Sequence, residues 1–235
     1  DGNTILPMQP ARDHKRLLDG DKGPNTGGMG AVSGPTILPE AVASRFKTDV
    51  ADRFMAGIKD AGIDFRGVLF VGVMYKPNGD LYVLEFNTRF GDPETEVVLP
   101  GIKGSLYNIL EATADGRLAQ VSLHLTGMYH AVVILAAGEY PYSKTVPVEI
   151  SIDRVSEQTK ECSTCRSTNH GESGDILHCG TSHDHAGRLL ATGGRVLACL
   201  GSGDSLDEAL DSAYANVKKV HFEGMRYRKD IGRTI

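Results

Sequence analysis

At 235 residues, with 40% hydrophobic and 23% charged side chains, the chain can bury a sizeable core as one large domain or two small ones. No run of about 18 apolar residues occurs and the start lacks the basic and apolar regions of a signal peptide, so no membrane partner is expected and a cytoplasmic protein is. The net charge of −5 argues against a nucleic-acid partner, so phosphate chemistry must draw on local basic residues, backbone amides or metal.

The opening DGNTILPMQPARDHKRLLDGDKGPNTGGMGAVSGP is too rich in Gly, Pro and Asp for a long helix, and it closes on four glycines between Gly23 and Gly30. It reads as a short strand followed by a functional loop. From Pro39 onward, Val42, Phe46, Val50, Phe54 and Ile58 recur at every fourth position, with Pro39 suited to a first turn and Gly62 to a carboxy-terminal cap. This spacing predicts an amphipathic helix. The β-rich runs GVLFVGVMYK and DLYVLEF, separated by Pro77-Asn78-Gly79, predict an antiparallel hairpin. The near-continuous apolarity of the first run places that hairpin inside a larger sheet.

Ser105 to Arg117 reads as a helix with Leu106, Ile109 and Leu110 on one side, and a domain boundary is expected near residue 125. Beyond it, HAVVILAA, VPVEISI and RVLACL read as strands. Ser205-Leu206-Asp207-Glu208 is a capping box opening a helix with Leu206, Leu210, Ala213 and Val217 inward. The polar stretch Ser156 to His185 reads as a surface insertion. It contains Cys162 and Cys165 in a Cys-x-x-Cys pair, with His170, His178, Cys179, His183 and His185 after them. A zinc reading is the weaker one, because the second half shows no matching knuckle. With Cys199, the four cysteines are expected to be free thiols.

The chemistry concentrates in LEFNTRFGDPETE, residues 84–96. Strand alternation turns Glu85, Asn87 and Arg89 to one side, with Leu84 and Phe86 on the other. A carboxylate and an amide oxygen are hard donors suited to Mg²⁺, and an arginine beside them can hold a second anion. Taken alone, the run reads equally well as a solvated strand end with an Arg–Glu surface pair. GPNTGGMG, residues 23–30, lets backbone N–H groups approach an anion, as phosphate-binding nests do. It lacks the Gly-Lys-Ser/Thr of a Walker loop, so a flexible turn remains the competing reading.

The order DHKR, DKGPNTGGMG, hairpin, LEFNTRFGDPE closely resembles the glycinamide ribonucleotide synthetase family, and GDILHCGT, TGGRVL and RKDIG look like that family's carboxy-terminal domain. The resemblance implies an α/β (α+β) fold. Residues 1–125 would be the carboxy-terminal portion of an ATP-grasp domain, an antiparallel sheet with flanking helices, and 126–235 a small, mainly β domain. It implies ATP-dependent ligation of glycine to 5-phosphoribosylamine through glycyl phosphate, with ATP and Mg²⁺ or Mn²⁺ as cofactors, in purine biosynthesis. Glu85 and Asn87 match the family's metal ligands. The substrate pocket would draw on Asp13, Lys15, Asn25, Thr26, Gly27, Gly28, Met29, Arg89, Asp92, Pro93 and Glu94, with Arg89 and Asp13 as catalytic candidates and no general base assigned.

Complete members of the family carry a further amino-terminal half that clamps adenine, so an inactive fragment awaiting that half is expected. Some members are fused to another purine-pathway enzyme. Two alternatives stand beside this reading: a non-catalytic binding or assembly module, and another purine-pathway ATP-grasp ligase such as a carboxylase.

Overall fold

The computed structural model describes residues 1–76, 78–153 and 176–233. Cys162, Cys165, His170 and most of the expected insertion lie outside the described residues, as does Pro77 of the expected turn. Four short strands open the chain: β1 (Ala11–Asp13), β2 (Arg16–Leu18), β3 (Lys22–Asn25) and β4 (Gly30–Ser33). Helices α1 (Glu40–Phe46) and α2 (Asp52–Asp60), strands β5 (Phe70–Tyr75) and β6 (Leu81–Asn87), and the one-turn α3 (Thr95–Val98) follow. Next come β7 (Ile102–Lys103), α4 (Leu106–Ala114), β8 (His124–Leu125) and β9 (Tyr129–Ala136). The remainder is β10 (Val148–Glu149), β11 (Ser151–Ile152), β12 (Ile176–His178), β13 (Thr181–His183), β14 (Leu189–Ala191), β15 (Arg195–Gly203), α5 (Leu206–Val217) and β16 (Val220–His221).

Contacts divide the chain into two compact units, each made of two segments: residues 1–12 with 32–130, and 13–31 with 131–235. In the first, the expected amphipathic helix is present but not uniformly α-helical. Residues Lys47–Ala51 between α1 and α2 are π-helical, and Pro39 occupies the N-cap position. The sequence explains the interruption. On a helix of 3.6 residues per turn, a strict four-residue spacing drifts by about 40° per step, and a wider π turn in mid-course draws the stripe back. Val42, Val50 and Ile58 are consequently all buried.

The hairpin forms as expected, β5 pairing antiparallel with β6 from Phe70↔Asn87 to Tyr75↔Leu81. Its setting differs from expectation. Among the described residues the two strands pair only with each other, and Met74 and Leu84 are 58% and 61% exposed. Apolarity in β5 therefore does not mark a strand covered on both faces. Phe54 packs against Phe86 and Phe65 at ring separations of 5.3 and 6.0 Å, closing one side of the hairpin over the helix. In α4 the buried residues are Ile109, Ala112 and Thr113, whereas Leu110 is exposed.

The second unit contains most of a five-stranded sheet of order β1-β4-β9-β15-β12. Val132–Ala136 and Val196–Cys199 are almost wholly buried there. The run VPVEISI is not one strand: β10 pairs with β14 and β11 with β16. The end of the expected insertion is also ordered sheet, because β12 pairs antiparallel with β15 and β13 with β14. Glycine and polar residues concealed these strands, whose partners lie elsewhere in the chain.

Helix α5 opens at Ser205 as expected, the Ser205 hydroxyl accepting from the Glu208 amide at 3.2 Å, while the Glu208 carboxylate reaches one residue past the cap and accepts from Asp204 N–H at 2.9 Å. It lies against β15 because Gly201 and Gly203 share one face of that strand. A Cβ at Gly201 would stand 2.2 Å from the Ala209 carbonyl oxygen and 2.3 Å from the Ala213 nitrogen. Both obstacles are backbone, so the helix must move away. Gly201→Ala is expected to cost about 3 kcal/mol, the upper part of the range for overpacking. Urea unfolding measures it, and a loss under about 0.5 kcal/mol would contradict this account of the contact.

Candidate active site

In the first unit the candidate residues gather at the end of β6. Glu85 and Asn87, two apart, face the same side of the strand, opposite Gly72 and Phe70 on β5. Gly72 leaves room for the carboxylate: a Cβ there would come 3.0 Å from Glu85 Cγ. The alternation does not continue to Arg89, since the strand stops at Asn87. Arg89 lies in the following bend and donates from Nη1 to the Phe90 carbonyl at 2.7 Å.

Asn87 is half-buried, and its Nδ2 is buried with no hydrogen-bond partner. A buried amide nitrogen without an acceptor costs stability unless something outside the chain completes it. Turned about its last bond, the same amide presents oxygen at that place. Beside the exposed Glu85 carboxylate, this donor set fits a divalent cation with oxygen ligands. Among the described residues no group of three or more His, Cys, Asp or Glu side chains is placed to hold a metal ion.

The segment from Gly91 onward is closely packed. A Cβ at Gly91 would meet Glu94 Oε2 at 2.5 Å and the Phe70 ring at 2.8 Å. Asp92 is exposed, Pro93 is buried, and Glu94 is buried with its carbonyl accepting from Val97 and Val98 N–H at 3.2 and 3.0 Å. Of Asp92, Glu94 and Glu96, Asp92 is the exposed one.

In the second unit, β2 and β3 form a hairpin within the stretch read as loop, pairing Arg16↔Asn25 and Leu18↔Lys22. Asp13 and Lys15 flank its entrance as an ion pair at 2.5 Å. Burial pushes the Asp13 carboxyl above its ordinary range, against the hydrogen bond and charge of Lys15 and the charge of Arg195. His14 is buried, and its Nε2 accepts from Gly232 N–H at 3.0 Å, which places the ring proton on Nδ1. It ties the segment to the chain end rather than lending it charge.

The glycine loop also departs from the nest expected of it. Thr26 N–H donates to the Lys15 carbonyl at 2.7 Å, Gly27 N–H to the Tyr140 hydroxyl at 2.8 Å, Gly28 N–H to Thr26 Oγ1 at 3.0 Å and Met29 N–H to the His14 carbonyl at 2.8 Å. These four amides are satisfied within the unit, so they do not form an anion cradle. Met29 is wholly buried, whereas Asn25 is exposed. Tyr140 and Arg195, both absent from the sequence-based set, contact the loop at Gly27. The only local signal for either is the position of Arg195 in TGGRVL.

Residues 1–95 match the family model described as phosphoribosylglycinamide synthetase, ATP-grasp (A) domain, and residues 130–234 match the C domain of the same synthetase. Phosphoribosylamine–glycine ligase of Neisseria meningitidis serogroup B is 38% identical over 232 residues, 98% of this chain and 51% of that protein. The human trifunctional purine biosynthetic protein adenosine-3 is 38% identical over 233 residues, 99% of this chain and 22% of its own length. A crystal structure of phosphoribosylamine–glycine ligase from Thermotoga maritima aligns with a TM-score of 0.80 at 34% identity, covering 98% of this chain and 53% of that one. The chain thus spans about half the length of the monofunctional relatives it matches.

Proposed function

This chain belongs to the phosphoribosylglycinamide synthetase family, and we propose that it is the later half of a ligase joining glycine to 5-phosphoribosylamine at the expense of ATP. The observation carrying this reading is the donor pair at the end of β6: an exposed Glu85 carboxylate beside an Asn87 amide whose buried nitrogen has no partner. Glu85 and Asn87 would hold Mg²⁺ or Mn²⁺. When bound, the cation would neutralise charge on the nucleotide phosphates.

The carboxylate of glycine is a poor electrophile. Its oxygen attacks the terminal phosphorus of ATP, the bond to ADP breaks, and glycyl phosphate is formed. The amine of 5-phosphoribosylamine then attacks the acyl carbon, the carbon–oxygen bond to phosphate breaks and the amine loses a proton, leaving glycinamide ribonucleotide. A neutral amine needs no activation before attack, so the protein's part is placement and charge stabilisation. Arg89 supplies a permanent cation for the transferring phosphoryl group. Asp92, Pro93 and Glu94 form the adjoining wall. Asp13, Lys15 and the loop Asn25, Thr26, Gly27, Gly28 and Met29 serve the amine-bearing substrate.

We place the carboxy-terminal portion of the ATP-grasp domain in residues 1–125 and the β-rich domain in 126–235, close to the two matched stretches. The partner is the preceding half of a polypeptide of the relatives' length. A fused purine enzyme has a precedent in the trifunctional relative. No helix of the described residues is long and apolar enough to cross a membrane, and we assign the protein to the cytoplasm.

The test is ADP release dependent on both glycine and 5-phosphoribosylamine. The full-length polypeptide is expected to turn over, and the 235-residue chain alone to release no ADP and to bind ATP no more tightly than about 1 mM, roughly 4 kcal/mol. Release that ignores glycine, or full activity from the half chain, would refute the proposal.

A further inference from the structure

TGGRVL, residues 192–197, has no part in the chemistry proposed above, yet its arginine reaches the glycine loop. Arg195 Nη1 donates to the Gly27 carbonyl at 2.9 Å, and the Tyr140 hydroxyl accepts from Gly27 N–H at 2.8 Å. Gly27 is thus gripped at both its polar groups by side chains from distant parts of the sequence. The fit is tight: a Cβ at Gly27 would lie 3.1 Å from Arg195 Cζ and 3.3 Å from the Tyr140 oxygen, so both side chains would have to give by a few tenths of an ångström.

Both gripping residues stand on rigid supports. The Tyr140 ring lies over Gly194, where a Cβ would come 2.4 Å from ring carbon Cδ2, and it packs against buried Leu17, Met29 and Ala136. Arg195 begins β15, whose next four residues are wholly buried. The turn before it is pinned by Thr192 and Gly193 N–H groups, each donating to the Gly180 carbonyl at 2.9 Å. Gly193 lets the turn pack on Gly180, where a Cβ would come 2.8 Å from Gly180 Cα, and Gly194 makes room for the Tyr140 ring.

We infer that Tyr140 and Arg195 are positioning residues that fix the Asn25–Met29 loop for the amine-bearing substrate, 5-phosphoribosylamine. This rests on the functional reading above. The loop's inward amides leave it without a row of donors for nucleotide phosphates, and what it turns outward is the exposed Asn25 amide. The ribose hydroxyls and the amine of 5-phosphoribosylamine can bond to such a side-chain amide, while its phosphate, like those of ATP, must find donors other than these four amides.

Tyr140→Phe removes the acceptor for Gly27 N–H and keeps the packed ring. In the full-length polypeptide it is expected to raise the KM for 5-phosphoribosylamine about tenfold, the equivalent of one hydrogen bond, with the KM for ATP unchanged. Arg195→Ala should do the same, and Arg195→Lys should recover part of the loss. Amide hydrogen exchange in a peptide covering residues 24–29 should accelerate in Tyr140→Phe, whether or not the protein turns over. Unchanged exchange overturns the grip, and an unchanged KM for the amine, or a parallel rise for ATP, overturns its role. Absence of turnover in the parent polypeptide would instead remove the functional reading, with exchange still deciding the grip.

Discussion

Glu85→Ala and Asn87→Ala, each made in the full-length polypeptide, are expected to lower turnover about a thousandfold, a loss of about 4 kcal/mol of transition-state stabilisation. Neither change should harm the fold. Glu85 is exposed, so its removal uncovers nothing. Asn87 presents a buried Nδ2 with no partner, so removing the amide takes away an unsatisfied group and can even raise stability. That combination separates a ligand from a structural residue: a buried amide kept for packing would lose stability and activity together. Initial rates of ADP release across a Mg²⁺ titration, beside urea unfolding of the same samples, provide the measurement. Full turnover at saturating Mg²⁺ in either variant would sink the metal assignment.

What the sequence made legible here is what local pattern controls. The hairpin β5–β6 and the helix α5 are written in turn chemistry, alternation and a capping box, each within its own short stretch of sequence. The π-helical stretch was legible in principle, since Val42 to Ile58 repeat every fourth residue rather than every 3.6. The hairpin's exposed faces were not, because an apolar run reports what a strand can bury and not what stands beside it. Nor was the fate of the glycine loop. Its amides find Lys15 and His14 nearby, but also Tyr140, 113 residues along the chain. Glycines that look poised for an anion are equally consistent with close approach by a side chain, and only the three-dimensional partner decides.

The β2–β3 hairpin owes its place to the same kind of distant partner, and Arg228→Met is expected to destabilise the fold strongly. The Arg228 side chain is fully buried. Its Nε and Nη2 donate to the two carboxylate oxygens of Asp230, each at 2.8 Å, and its Nη1 donates to Asp21 at 2.7 Å and to the Arg16 carbonyl at 3.3 Å. Asp230 in turn accepts from Gly20 N–H at 2.8 Å, and Asp19 from Lys229 N–H at 2.8 Å. The closing RKDIG therefore clamps both ends of the hairpin turn. Methionine fills similar volume but leaves these acceptors without their cation, a loss of about 3 kcal/mol at neutral pH.

The deficit should shrink in acid, and the direction follows from Asp230. Hydrogen bonds from Arg228 hold its carboxyl down to about 2, with burial opposing and the Gly20 amide assisting. A folded pKa below the unfolded value stabilises fully above pH 4, and that stability drains away as pH falls from 4 towards 2. The variant has no such bond to lose. Urea unfolding of parent and Arg228→Met at pH 7, 4 and 2.5 should show the gap between them closing over the last interval. A gap that stays constant with pH would mean that packing, and not the buried ion pair, holds the hairpin in place.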